Sequence, residues 1–163
     1  MGANNPSTTV VDTPEAINLD FQTGIAADTL LFGGIRWVDW SSFEIAPADY
    51  GTITTRPILS YVNDTITYRL GVGRQLNENW SVSAALTYEK HQDEFFTNLG
   101  PKDGLLGLTL GARYRMDNMV ISGGINYTDI GNAKTVVSPT GPVLSDFSDN
   151  SAIGAGIKIG YYF

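Results

Sequence analysis

From residue 17 onward, apolar and polar positions alternate along most of this chain. In 17–25, Ile17, Leu19, Phe21 and Ile25 alternate with Asn18, Asp20, Gln22 and Gly24, and only Thr23 interrupts. In 30–43, Leu31, Gly33, Ile35 and Trp37 share one face and Arg36 falls on the other. Ile66, Tyr68, Leu70 and Val72 oppose Thr65, Thr67, Arg69, Gly71 and Gly73 in 65–74; Trp80, Val82, Ala84, Leu86 and Tyr88 oppose Ser81, Ser83, Ala85, Thr87, Glu89 and His91 in 80–91. The clearest run is 105–116, with Leu106, Leu108, Leu110, Ala112, Tyr114 and Met116 against Gly107, Thr109, Gly111, Arg113 and Arg115. In 119–128, Met119, Ile121, Gly123, Ile125 and Tyr127 oppose Ser122, Gly124, Asn126 and Thr128. In 151–163, Ile153, Ala155, Ile157, Ile159, Tyr161 and Phe163 oppose Gly154, Gly156, Lys158, Gly160 and Tyr162. Successive side chains of a strand point to opposite faces, whereas a helix would gather apolar positions about every 3.6 residues. The pattern therefore predicts seven strands and an all-β fold.

Most of these runs approach the roughly 9 to 11 residues of a tilted membrane strand, beyond the about 5 to 6 usual in soluble sheets. Aromatics recur near strand ends, as Trp80 and Tyr88, Tyr114, Tyr127 and Tyr161. Amphipathic rings favour the lipid–water boundary, so such ends match the girdles of a membrane barrel. The second face carries Gly, Ser, Thr, Asn and a few charges, as a lumen does. The predicted fold is an antiparallel transmembrane β-barrel of the Gram-negative outer membrane. The alternative is a soluble sandwich or lipocalin-like barrel, whose outer face would be more heavily charged. No stretch reaches the roughly 18 to 20 apolar residues of a membrane helix.

The connections alternate. Those at 26–29, 75–79 and 117–118 are short; those at 44–64, 92–104 and 131–150 are long. Outer-membrane barrels combine short periplasmic turns with long extracellular loops. Phe163 is then periplasmic, and the first strand starts outside. Single-chain bacterial barrels have even strand counts, and open edges in lipid leave backbone groups unsatisfied. Seven strands thus predict that an odd number of strands lies upstream, with 1–16 the remnant of an extracellular loop and 17–163 the C-terminal half of a barrel. A rival eight-stranded barrel would recruit 52–62, but Pro57 lacks a ladder donor and the loop alternation would break. The first sixteen residues have neither the basic region nor the apolar run of a signal peptide.

Composition adds exclusions. Acidic residues outnumber basic ones by 17 to 10, for a net charge of −7, so nucleic acid is not an expected partner. With no Cys and one His, neither a disulfide framework nor a His/Cys metal set can form. No catalytic constellation and no cofactor site emerges, and no enzymatic role is expected. Glu89, His91, Asp93 and Glu94 read as solvated rim residues at a strand end. GVG at 71–73 and GAG at 154–156 open no helix and are not phosphate loops. Arg36, Arg69, Arg113, Arg115 and Lys158 fall on the polar face. A cationic lumen can attract a carboxylate headgroup; the same charges can also serve packing by pairing with inward acids such as Glu89. Trp37, Trp40 and Phe43 fit a girdle or upper wall, with an apolar ligand groove as the other reading.

The stretch TPEAINLDFQTGIAADTLLFGGIRWVDWSSFEI, with Pro14, Glu15, Arg36, Trp37, Trp40, Ser41 and Phe43, resembles the outer-membrane transport proteins for long-chain fatty acids and aromatic hydrocarbons. WSVSAALTYEKHQDEFFTNLGPKDG and the ending DNSAIGAGIKIGYYF look like the last strands of the same family. The resemblance implies a fourteen-stranded barrel, monomeric when full length, with an N-terminal hatch that this sequence lacks. It implies an outer-membrane channel for uptake of hydrophobic compounds such as long-chain fatty acids. A general porin-like barrel, or a structural or adhesive one, is the alternative. Implied partners are hydrophobic small molecules or fatty acids, outer-membrane lipid and the outer-membrane insertion machinery, whose C-terminal strand signal the terminal Tyr161 and Phe163 resemble.

Overall fold

The computed structural model describes residues 8–49, 57–92, 95–96, 99–100, 102–136 and 141–163. Seven strands of 10 to 12 residues make one antiparallel sheet. They are β1 (Ala16–Ala26), β2 (Thr29–Val38), β5 (Thr65–Gln75), β6 (Trp80–Glu89), β8 (Leu105–Met116), β9 (Met119–Ile130) and β12 (Asn150–Tyr161), in that spatial order. Every neighbour pair is also a sequence neighbour among the long strands, so the wall is an up-and-down meander. All seven expected strands are present. Their long connections carry short strands of their own: β3 (Glu44–Ile45) pairs with β4 (Leu59–Ser60), while β10 (Ala133–Val136) joins β7 (Phe95–Phe96) and β11 (Val143–Phe147).

The register aligns the apolar sets. Phe21, Gly33, Leu70, Leu86, Leu108, Tyr127 and Ile153 form one continuous row across the sheet. A one-residue slip in any pair would send a whole strand's apolar set to the opposite face, so the pattern itself specifies the pairing. Gln22, Phe32, Gly71, Ala85, Thr109, Asn126 and Gly154 make a matching row on the other face. That polar face is concave and lines an open cavity of about 710 Å³.

Burial follows from a single layer. Only Val38, Leu59, Ala85 and Ala133 are buried apolar residues among those described, while Ile153 is 81% and Ile157 75% exposed. A water-soluble domain hides such side chains between two layers. Here the seven-stranded sheet is a single layer whose apolar face has no second layer among the described residues.

Three strands stop short of the sequence expectation, while β9 runs two residues past it, to Ile130. β2 stops at Val38 rather than at 43, because its partner β5 begins at Thr65, opposite Val38. The chain then turns through a 3-10 segment, Trp40–Ser42, whose N-terminus is capped by the Asp39 carboxylate accepting from Ser42 N at 3.2 Å. β6 stops at Glu89, opposite the first residue of β8, and β12 at Tyr161. Within the rival wall segment at 52–62, the described Leu59–Ser60 pairs with Glu44–Ile45 apart from the main sheet. Residues 52–56 of that segment lie outside the described residues.

Candidate functional site

The concave face is built from alternate residues of the seven strands. Its five cations divide into two groups. Arg36 and Arg69 lie toward the long-loop end. Arg36 Nη1 donates to Asn18 Oδ1 at 2.8 Å across the β1–β2 ladder. Arg69 stands over the Phe32 ring, 5.4 Å from its centroid, where the ring's negative face attracts the guanidinium. Arg113, Arg115 and Lys158 lie toward the short-turn end. Ser81, Arg113, Ser122 and Lys158 occupy one ladder row, and Arg115 stands two residues further along β8, next to the Asp117–Asn118 turn. Among the described residues, none of these five cations forms an ion pair.

Phe32 and Leu30 bring apolar surface onto the concave face. Phe32 rests above Gly71, where a Cβ would stand 2.5 Å from its ring, so only glycine leaves room for the ring to lie flat on the wall. With Gly73 and Gly111 they line the large cavity, whose polar contributors include Ser83 and Arg113. Sequence reasoning passed over Leu30 and Phe32, although the run Leu30-Leu31-Phe32 breaks the alternation and was the available signal.

At the long-loop end Glu89 is 6% exposed, which corrects its reading as a solvated residue. Its carboxylate accepts from Thr67 Oγ1 at 2.9 Å and pairs with Lys102 Nζ at 2.7 Å. The expected pairing of Glu89 with an inward wall cation is therefore not what forms: its partner comes from the second long connection. A buried carboxylate needs such a partner, because desolvation otherwise disfavours its charge. His91 Nδ1 lies 3.8 Å from the Asp103 carboxylate, which also accepts from Gln92 N at 2.7 Å. Asp93 and Glu94 lie outside the described residues.

Trp37, Trp40 and Phe43 separate. Trp37 is on the apolar face in line with Ile17 and Ile66, and its Nε1 donates to Asp64 Oδ2 at 3.1 Å. Trp40 and Phe43 meet edge to face at 5.6 Å, and Tyr61 joins them at 5.1 and 6.3 Å. Trp40 and Tyr61 border a smaller cavity of about 250 Å³ that reaches Glu89 and Lys102. Asp64 organises this corner: hydrogen bonds from Ser41, then from Trp37, hold its carboxyl below the ordinary carboxylate range. Tyr61, Asp64 and Lys102 were not legible as site residues, since each acquires its partners only when separate connections fold over one strand end.

Neither a family model nor a curated protein matches this chain. Among solved structures it is similar to the crystal structure of a Pseudomonas aeruginosa FadL homologue, with a TM-score of 0.63 over 90% of this chain and 18% sequence identity. The chain spans 34% of that protein's length. The fold is thus that of part of a FadL-type β-barrel wall.

Proposed function

We propose that this chain forms part of the wall of an outer-membrane channel of a Gram-negative bacterium, for uptake of hydrophobic compounds such as long-chain fatty acids. The observation that carries the reading is the FadL-type fold over 90% of the chain. It is supported by a concave face that combines apolar Leu30 and Phe32 with cations that form no ion pair among the described residues, a lining suited to amphiphiles rather than to sugars or salts. The outward row of Leu, Ile and Tyr is suited to lipid. The role is transport without chemistry on the cargo, and no cofactor enters it. The remaining wall and a hatch come from further sequence, and the complete protein acts as a monomer inserted by the outer-membrane assembly machinery. Trp37 serves in the outer girdle, and Trp40 and Phe43 in the upper wall.

Uptake by cells lacking their own fatty-acid transporter tests this. Expression of the intact protein is expected to restore accumulation of a radiolabelled long-chain fatty acid and to leave uptake of a small sugar unchanged. Sugar uptake without fatty-acid uptake would instead establish a general porin; uptake of neither would leave a structural or adhesive barrel.

A further inference from the structure

One cation breaks the two-faced pattern of the wall. Arg74 follows Leu70 and Val72 at two-residue steps along β5, and its ladder partners are Thr29 and Val82. Its side chain therefore leaves the sheet on the outward, apolar face. The other cations of the seven long strands, Arg36, Arg69, Arg113, Arg115 and Lys158, lie on the concave face. Arg74 does border the concave cavity, as do its outward row-mates Val82, Ala112 and Gly123; in a single layer such residues reach it through their backbone. The residue is exposed and forms no ion pair among the described residues. Asp28 and Glu78, acids in the nearby short turns, border recesses that open on the concave side, and neither pairs with it.

A charge on a lipid-facing surface is tolerated near the interface, where a long side chain can carry it to the headgroups. Arg74 has that position. Val82 stands opposite it, and Trp80, the first residue of β6, is its diagonal neighbour one step nearer the short turn. Diagonal neighbours lie about 7 to 8 Å apart, within reach of long and aromatic side chains. Trp80 packs against Tyr114 at 4.8 Å, so the guanidinium stands beside the aromatic rim of the short-turn end. Trp37 Nε1 donates to Asp64, whereas Trp80 Nε1 has no acceptor among the described residues. Two kinds of donor, a guanidinium fork and an indole N–H, thus face outward side by side.

One occupant matches this chemistry. A guanidinium offers paired N–H groups that fit two oxygens of a phosphate. Away from the turn, the next outward rows hold Val72, Ala84 and Leu110, then Leu70, Leu86 and Leu108, an apolar surface on which acyl chains can lie. Free phosphate would make no use of that surface. The outward acid of the long strands, Asp129, shares the row of Leu106, six residues along β8 from the Arg74 row at Ala112 and roughly 20 Å away at the rise of a strand. No outward carboxylate therefore stands beside Arg74 to receive a headgroup ammonium, which favours an anionic lipid over a zwitterionic one.

The geometry points to a phospholipid site on the outer surface of the wall at its short-turn end. There the Arg74 guanidinium and the Trp80 indole N–H hold the phosphate of an anionic glycerophospholipid, with its acyl chains over Leu70, Leu86 and Leu108. The site fixes the depth of the wall in the leaflet next to the short turns, and the lumen takes no part in it. This inference rests on the membrane location proposed above and is independent of the cargo.

Native mass spectrometry of the intact protein in detergent, titrated with phosphatidylglycerol or with diacylglycerol of the same chains, tests it. Phosphatidylglycerol should bind the wild type saturably, and Arg74→Gln should weaken it about tenfold, since a charge-assisted hydrogen bond is lost. Trp80→Phe, which keeps a ring and removes the N–H, should weaken it about threefold. Arg74→Lys should retain most of the affinity. Diacylglycerol should bind the wild type and Arg74→Gln alike, and Lys158→Gln, on the concave face, should leave phosphatidylglycerol unchanged. Unaltered phosphatidylglycerol affinity in Arg74→Gln overturns the site while the membrane reading stands, as does an equal loss in Lys158→Gln. Displacement of the lipid by millimolar inorganic phosphate overturns the assignment to phospholipid. Wild-type protein that fractionates away from membranes overturns both readings. If Arg74→Gln does not insert, Arg74→Met carries the same comparison.

Discussion

Leu108 and Thr109 are adjacent in sequence and opposite in environment. Leu108 stands in the outward row between Leu86 and Tyr127; Thr109 faces the lumen and accepts a hydrogen bond from Asn126 Nδ2 at 2.9 Å. Leu108→Arg is expected to destabilise the inserted protein by roughly 2 to 4 kcal/mol, because a guanidinium near the bilayer midplane loses its hydration. Thr109→Arg should have a much smaller effect, since the lumen accepts charge. Refolding titrations into lipid compare the two, and equal losses would invert the face assignment. Asp64 supplies a second residue-level expectation. Its hydrogen bonds from Ser41 and Trp37 favour the carboxylate and depress its pKa. A depressed folded pKa contributes stability that is complete above the unfolded value and lost as pH falls through the folded one. Acidification through and below the ordinary carboxylate range should therefore loosen the Trp37–Trp40 corner. Tryptophan fluorescence in a Trp80→Phe background should report that transition, and Asp64→Ala should abolish it. Its persistence in Asp64→Ala would place the acid response elsewhere.

β6 and β12 carry the strand-end aromatics on which the proposed membrane location draws. Trp80 and Tyr88 lie on the outward face of β6, eight residues apart, about 26 Å along the strand. Across the ladder Trp80 packs against Tyr114 at 4.8 Å, and Tyr88 stands opposite Tyr68. Apolar residues fill the interval, and at a tilt of about 35–45° the aromatic pairs bracket a band of roughly 20 Å, to be compared with the roughly 25 Å of a barrel's lipid-facing belt. At the end of β12, Tyr162 N donates to Asn118 O at 2.8 Å, tying the chain end to the β8–β9 turn. Tyr161 and Phe163 meet edge to face at 5.1 Å. The Phe163 ring is otherwise uncovered, which suits both a girdle position and recognition during assembly. In the intact protein, deletion of Phe163 should lower the yield of folded, surface-accessible protein in the outer membrane, and deletion of Thr140 in the last long connection should not. Equal yields would remove the assembly role.

For the molecule as a whole, the edges of the sheet are decisive. β1 and β12 are the outermost strands and do not pair with each other. Both run toward the short-turn end, β1 into the turn at Ala27 and Asp28, β12 to Tyr161 beside Asn118. An uncovered edge in lipid leaves backbone donors and acceptors without partners, so the membrane wall proposed above requires closure. Copies inserted side by side in one orientation would set β12 against the β1 of the next copy in parallel, breaking the antiparallel ladder. An odd number of additional strands restores it. The folded species extracted from native outer membranes should therefore exceed the mass of the 163-residue chain and show heat-modifiable migration. A closed, folded monomer of these 163 residues alone would contradict this reading.

The wall was legible because one physical rule, alternation between two solvents, acts on every residue of a long strand. Leu106 to Met116 and Ile153 to Tyr161 declare their faces without any tertiary contact, and register follows from matching those faces between sequence neighbours. Turn positions followed as well: Asp28 and Asp117 adopt positive φ of 56° and 41°, a conformation Asp tolerates in tight turns. What only the tertiary structure decided lies at the strand ends and in the lumen. The end of β2 at Val38 depends on where β5 starts, and the burial of Glu89 depends on Lys102 arriving from another connection. That Arg36 and Arg69 are engaged while Arg113 and Lys158 form no ion pair among the described residues depends on which residues share their rows. Periodicity reports which side of a strand a residue faces; it carries no information about what stands opposite, because that is set by pairings between segments far apart in the chain.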